Sequence, residues 1–266
     1  AAEASGYTSL LWETSGTGYF DNPNELNPVY YPGENETGFV FLSLTAFGNP
    51  PCGNSTDYFY LEITPAPQAY IDEDASICEG DYYTFINDTA FNYIYIFWET
   101  SGSGYFSDPY SFHPTYFPGT GETGQISISL TAYGNSPCEE AVSSMTLNIE
   151  ITPSAFAGEP AIICENESYF LADATASNYS SLFWETSGSG YFDDPNALNP
   201  TYFPGTGEIG YVGLSLTAYG YAPCTDAFSV MNLEIIAAPL AFAGEEAIIC
   251  ENESYFLSEA TASNYS

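Results

Sequence analysis

The sequence contains no lysine and no arginine, against 35 aspartates and glutamates and one histidine in 266 residues. Globular chains ordinarily carry roughly 25% charged residues of both signs, so a complete absence of cations is a strong bias. Without them the chain cannot displace counterions from phosphates, which excludes nucleic-acid binding. Attraction to an anionic membrane surface is excluded on the same ground. Salt bridges cannot hold the fold together, His113 being the one side chain able to form one. The carboxylates must be dispersed, screened by salt, protonated, or bound to cations such as calcium. Long apolar runs are also missing. No stretch approaches the ~18–20 residues that span a bilayer, and no signal-peptide pattern opens the chain. Membrane insertion is therefore not expected, and the sequence reads as a mature or excised soluble segment. No window carries a 3.6-residue apolar repeat.

What is present is a period. Trp12, Trp98 and Trp184 stand 86 residues apart, as do Cys52, Cys138 and Cys224, Cys78, Cys164 and Cys250, and Pro67, Pro153 and Pro239. A unit of this length buries its own core, unlike the 20–45-residue repeats of solenoids. The hydrophobic fraction of 45% and aromatic fraction of 17% rule out a disordered polyacid. In Val212-Gly213-Leu214-Ser215-Leu216-Thr217-Ala218-Tyr219 apolar residues alternate with small or polar ones, as in a half-buried strand. Equivalent stretches cover 40–47 and 126–133. In the second copy the pattern predicts strands over 69–78, 82–89, 94–100, 124–133 and 142–151. About seven strands per unit, with one tryptophan on a middle strand, predict an all-β chain of tandem Ig-like (PKD-like) sandwiches.

The expected domains are 1–65, lacking its first two strands; 66–151; 152–237; and 238–266, the first two strands of a further domain. Residues 1–8 correspond to 259–266. The open ends would be closed by neighbouring residues of a longer array or by another copy through strand donation. Prolines at the joints, as in Thr64-Pro65-Ala66-Pro67, predict stiff connections.

Trp-Glu-Thr-Ser-Gly-Ser-Gly-Tyr-Phe (184–192), Asn-Pro-Thr-Tyr-Phe-Pro (199–204), Leu-Thr-Ala-Tyr-Gly (216–220), Pro-Cys (223–224) and Ile-Cys-Glu-Asn (163–166) resemble the tandem PKD-like or Ig-like repeats of giant extracellular adhesins and surface fibres of Bacteroidetes-type bacteria. The resemblance covers the whole chain. It implies an extracellular or cell-surface stalk, adhesin or fibre with no catalytic residues and no bound cofactor.

Six cysteines at two repeating positions predict disulfides and an oxidising compartment, with buried free thiols as the alternative. Cys78 precedes the turn between the first two strands, and Cys138 lies in the hairpin between the last two. A strand of ~9 residues spans about 30 Å, whereas a disulfide needs Cα atoms ~5–6 Å apart. The preferred pair is Cys78 with Cys224, leaving Cys164 and Cys250 for copies of Cys52 and Cys138 in the following segment. Pairing within a domain, Cys78 with Cys138 and Cys164 with Cys224, stays open. No CxxC or histidine accompanies them, which argues against zinc.

Outward aromatics are candidates for self-association: Phe39, Phe41, Phe47, Tyr133, Tyr219, Tyr105 and Tyr191. Rings covered by the domain's own loops are the plain alternative; glycans stacked on the rings are a further kind of partner. Thr89 and Thr175, with the sequons at Asn35, Asn54, Asn87 and Asn166, are candidate glycosylation positions, set against ordinary polar loops. Acidic loops such as Asp72-Glu73-Asp74 match no calcium-loop spacing. Glu99 and Asp108 could stand as a glycosidase-like pair, but the second position is Asn22 in the first copy. His113, where the other copies have Asn27 and Asn199, reads as a drifted turn residue. The chain is expected not to be an enzyme, and its expected partners are copies of itself.

Overall fold

The structure, a computed structural model, describes residues 2–264. Every regular element in it is a β-strand. The chain divides into two compact units, one of Ala1–Asp74, Tyr82–Gly119 and Ile126–Thr146, the other of Ala75–Asp81, Thr120–Gln125 and Leu147–Ser266.

The third copy shows the complete plan. One sheet runs in the order Ala161–Cys164, Ala227–Ile236, Gly210–Tyr219, Ser181–Thr186, and a second in the order Tyr169–Phe170, Thr201–Phe203, Tyr191–Phe192. The pairing of Ser154–Phe156 with Thr175–Ser177 adds a two-stranded flap. The alternation expected around 212–219 is realised: Val212, Leu214, Leu216 and Ala218 point inward. Around Trp184 they meet Leu171, Leu182, Tyr202, Met231, Leu233 and Ile235 in a single core. The second copy repeats the order, with Tyr93–Thr100, Gly124–Gly134, Ala141–Glu150 and Ala75–Cys78 in one sheet.

Two features depart from the sequence reading. The strand expected over 69–78 is divided into Gln68–Tyr70 and Ala75–Cys78, and that over 82–89 into Tyr83–Thr84 and Thr89–Phe91. Their halves belong to different sheets. In addition, the half carrying the cysteine runs parallel to the last strand of its domain, Ala161–Cys164 beside Leu233–Ile236 and Ala75–Cys78 beside Leu147–Glu150. The second and third copies therefore each close the main sheet with a parallel pair, and the cysteine ends that strand.

The first copy has three strands in its main sheet, Tyr7–Thr14, Gly38–Gly48 and Ser55–Ile63, and two in the other, Tyr19–Phe20 and Tyr30–Tyr31. In the trailing segment Leu240–Phe242 pairs with Thr261–Ser263.

Backbone conformation follows the period. Positive φ recurs at Gly6, Asn92, Asn178 and Asn264, and at Gly80, Asn166 and Asn252. Asparagine and glycine tolerate this left-handed region, so both turns keep their shape across the copies.

Candidate functional site

The cysteines sit in two kinds of turn. The N–H of Cys52, Cys138 and Cys224 donates to the carbonyl three residues back, on Asn49, Asn135 and Tyr221, at 2.8–2.9 Å. The carbonyls of Cys78, Cys164 and Cys250 each accept the N–H three residues on, from Asp81, Glu167 and Glu253. One cysteine of each kind is joined: Cys78 and Cys224 form a disulfide with Cα atoms 5.0 Å apart, and both lie in the second compact unit. Cys224 Sγ lies 3.7 Å from the Glu150 carbonyl oxygen and 3.9 Å from that of Ile151. Cys138 is placed alike inside the first unit, its thiol 3.5 Å from the Thr64 oxygen and 3.8 Å from that of Pro65. Cys52, Cys138, Cys164 and Cys250 are free thiols, Cys52 and Cys250 exposed.

The first copy has an open groove of about 790 Å³ lined by Trp12, Phe20, Leu42, Leu44, Phe59 and Leu61 among others. In the other copies the same positions are core. Phe59 is 48% exposed, whereas its equivalents Met145 and Met231 are 4% and 2% exposed. The Trp12 indole N–H is buried and finds no acceptor among the described residues. Trp98 and Trp184 donate to the carbonyls of Ser111 and Ala197 at 3.1 and 3.2 Å.

The trailing segment also differs from its equivalents in the complete copies. Ile249 is 48% exposed and Leu257 65%, while the equivalent Ile163 and Leu171 are 9% and 1% exposed. Burying one such side chain contributes roughly 1.5–3 kcal/mol. Residues 247–250 and 255–256 form no strand, although Ala161–Cys164 and Tyr169–Phe170 do. In the third copy each of these short strands lies beside an edge that pairs with it.

Of the outward aromatics, Phe39, Phe41, Tyr105, Tyr191 and Tyr219 are exposed, while Phe47 and Tyr133 are half-buried. Tyr133 stacks on Tyr95 at 4.4 Å, and Phe41 lies 4.5 Å from Tyr60. Two cross-strand ring pairs recur in every copy at 5.2–5.3 Å: stacked Tyr19 on Tyr31, Tyr105 on Phe117 and Tyr191 on Phe203, and tilted Phe20 with Tyr30, Phe106 with Tyr116 and Phe192 with Tyr202. Thr89, Thr175, Asn35, Asn54, Asn87 and Asn166 are all exposed. Among the described residues no group of three or more histidines, cysteines or carboxylates could hold a metal ion. Asp74 instead accepts the Thr146 N–H at 2.7 Å.

Two polar arrangements escaped the sequence reading. The first ties a carboxylate to the Gly-rich turns. Glu208 accepts the Tyr202 hydroxyl at 2.8 Å and the Gly205 N–H at 3.0 Å, and Glu36 accepts Tyr30 and Gly33 in the same way. Burial would raise the Glu208 carboxyl, but N–H donors from Gly205 and Ser189 and the Tyr202 hydroxyl outweigh it and lower its pKa. The Gly33 N–H is the largest cause holding Glu36 down. Burial raises the Tyr202 phenol, and Glu208 beside it adds to the effect. The spacing of tyrosine and glutamate, six residues across a Pro-Gly turn, was the available signal.

The second concerns His113, which is more than a drifted turn residue. Its Nδ1 lies 2.8 Å from Oδ1 of Asp88, a fully buried carboxylate, and its N–H donates to Oδ2. In the third copy Ala174 replaces Asp88, and Asn199 bridges the same loops by donating to Leu171 and Ala174 carbonyls. The two solutions perform one structural task.

No protein family and no curated protein matches the sequence. Solved structures with a similar course of chain include a three-domain I-band fragment of titin, at 11% identity and TM-score 0.45 over 85% of this chain and 87% of that one. The first four immunoglobulin domains of Sidekick-1 are similar at 13% identity and TM-score 0.42, over 86% and 72% of the two chains. N-cadherin from Drosophila is similar at 13% and 0.40, over 86% and 66%. The strand orders and the repeated core define the class: tandem Ig-like β-sandwich domains.

Proposed function

We propose that this chain is an extracellular structural protein, a length of stalk or filament in which Ig-like domains follow one another end to end. The observation that carries the reading is the Cys78–Cys224 disulfide, which fastens the end of one domain's strand to a turn of the next. A bond at that place resists separation of consecutive domains, and it matters where no lysine or arginine can form ion pairs. Near-equivalence of the copies supports a scaffold, because a binding or catalytic role would set one copy apart. The sequence resemblance points to the surface of Bacteroidetes-type bacteria, and a disulfide suits that oxidising setting. The chain is no enzyme in this reading. It binds copies of itself, calcium would serve only as a diffuse counterion, and the exposed threonines and asparagines would carry any glycans.

The recurring ring pairs favour a second reading, an adhesin whose stacked, exposed aromatics meet glycans. Electron micrographs of the oxidised protein test the first reading. Straight rods or filaments of consecutive domains support it, and round particles or a freely bent string overturn it. Retention of the protein on a glycan array, lost on Tyr105→Ala and Tyr191→Ala together, would favour the second.

A further inference from the structure

In the third copy, Ala161–Cys164 lies parallel to Leu233–Ile236, and Cys164 stands opposite Ile236. Subtracting the period places Leu61–Thr64 at the matching edge of the first copy, where Ser55–Ile63 is the outermost strand of its sheet. Adding it gives Ala247–Cys250, which pairs with no strand among the described residues. Edge and strand are thus both present in the chain, both unpaired, and equivalent to a pair already formed.

We infer that residues 240–258 of a second copy of this chain occupy the groove, and that two disulfides between the copies close the junction. Cys250 of the donating copy bonds to Cys138 of the accepting copy, and Cys164 of the donor bonds to Cys52 of the acceptor. This rests on the structural reading above and adds to it a defined partner and defined bonds.

The side chains fit on the same equivalence. Ile249 and Leu257 take the places of the buried Ile163 and Leu171, and Ala243 that of Ala157, against the exposed Phe59 and the half-buried Leu61. Tyr255 and Phe256 then pair with Tyr30 and Val29, as Tyr169 and Phe170 pair with Tyr202 and Thr201. Cys250 arrives opposite Thr64, as Cys78 stands opposite Glu150. Cys138 already waits at the Thr64 and Pro65 carbonyls, in the position Cys224 takes at Glu150 and Ile151. The donor's third domain and the completed first domain of the acceptor are then consecutive, which brings Cys164 to Cys52. Every cysteine of a copy flanked on both sides is paired. Residues 3–5 of the acceptor and Thr261–Ser263 of the donor are equivalent, so one of these short strands is displaced.

Each bond forms by thiol–disulfide exchange. One thiolate attacks a disulfide oxidant to give a mixed disulfide and releases one thiol. The second cysteine displaces the other. Two protons and two electrons leave the pair and reduce the oxidant to two thiols.

The test mixes ¹⁵N-labelled and unlabelled whole chains, oxidises them with glutathione disulfide, alkylates the remaining thiols, and digests with a protease cutting at glutamate. The expected result is heavy–light linked peptides joining Cys250 to Cys138 and Cys164 to Cys52, with a ladder of multimers on a non-reducing gel. Leu257→Asp should abolish both linkages and leave the Cys78–Cys224 bond intact. Filaments whose four cysteines remain alkylated would overturn the covalent junction while leaving the structural reading standing. Linkage of Cys250 to Cys138 only within one chain, or monomers with free thiols, would overturn strand donation. Rods in micrographs of those monomers would still support the stalk.

Discussion

Cys78 and Cys224 are 146 positions apart in sequence, yet their Cα atoms lie 5.0 Å apart and their sulfurs are bonded. Cys78 closes a short parallel strand beside Glu150, and Cys224 sits in a turn against the carbonyls of Glu150 and Ile151. The bond therefore sits where one 86-residue copy ends and the next begins.

Pulled from its ends, the oxidised chain should keep the residues between Cys78 and Cys224 out of the extension. Reduction should release that segment, adding roughly 500 Å at the 3.3–3.6 Å per residue of extended chain. Force–extension traces before and after reduction measure the difference. Equal contour lengths would show that the bond does not shield the segment.

The tryptophans should respond unequally to Phe. Trp98→Phe removes the donor to the Ser111 carbonyl inside a closed core and should cost about 1–3 kcal/mol. Trp12→Phe removes an indole that has no acceptor among the described residues and should cost less than about 1 kcal/mol. Chemical denaturation followed by circular dichroism compares them, and equal losses would contradict the contrast drawn between closed and open copies.

His113→Ala deprives the buried Asp88 carboxylate of its ring partner and should destabilise the protein by about 1–3 kcal/mol. The double variant Asp88→Ala with His113→Asn reproduces the Ala174 and Asn199 pair of the third copy. It should recover most of the loss. A double variant as unstable as the single one would show that the two arrangements are not interchangeable.

Much of this architecture was legible in the sequence because the period is so strict. Alternation of Val212, Leu214, Leu216 and Ala218 marked a strand with one buried face, and that face is core. The divided leading strands were not legible. Between Tyr70 and Ala75 the chain passes from one sheet to another, and nothing in local alternation distinguishes a crossing from a continuation. Parallel pairing of Ala161–Cys164 was likewise hidden, since a four-residue apolar run reads the same in either direction. Among the polar contacts, Glu208 with Tyr202 escaped because hydrogen bonds to turn N–H groups depend on backbone geometry. His113 was misread for a similar reason: its partner Asp88 lies 25 residues away, in a copy where both residues differ from their equivalents.

Acidification should weaken the fold through the Glu208 carboxylate. Its pKa is lowered in the folded state, so the stabilisation it brings is present above the ordinary glutamate range and is lost as pH falls through the folded value. Glu36 acts in the same direction. Thermal melts should show a falling midpoint in acid, and Glu208→Gln should flatten that slope while lowering stability at neutral pH. An unchanged slope would mean that these hydrogen bonds contribute nothing to the acid response.

The most direct measurement is an electron cryomicroscopy map of the oxidised, assembled chain. It should show Ala247–Cys250 of one copy running parallel to Leu61–Thr64 of the next, with continuous density from Cys250 to Cys138. An empty groove beside Phe59, or the same strand laid on the edge of its own molecule, would contradict the account.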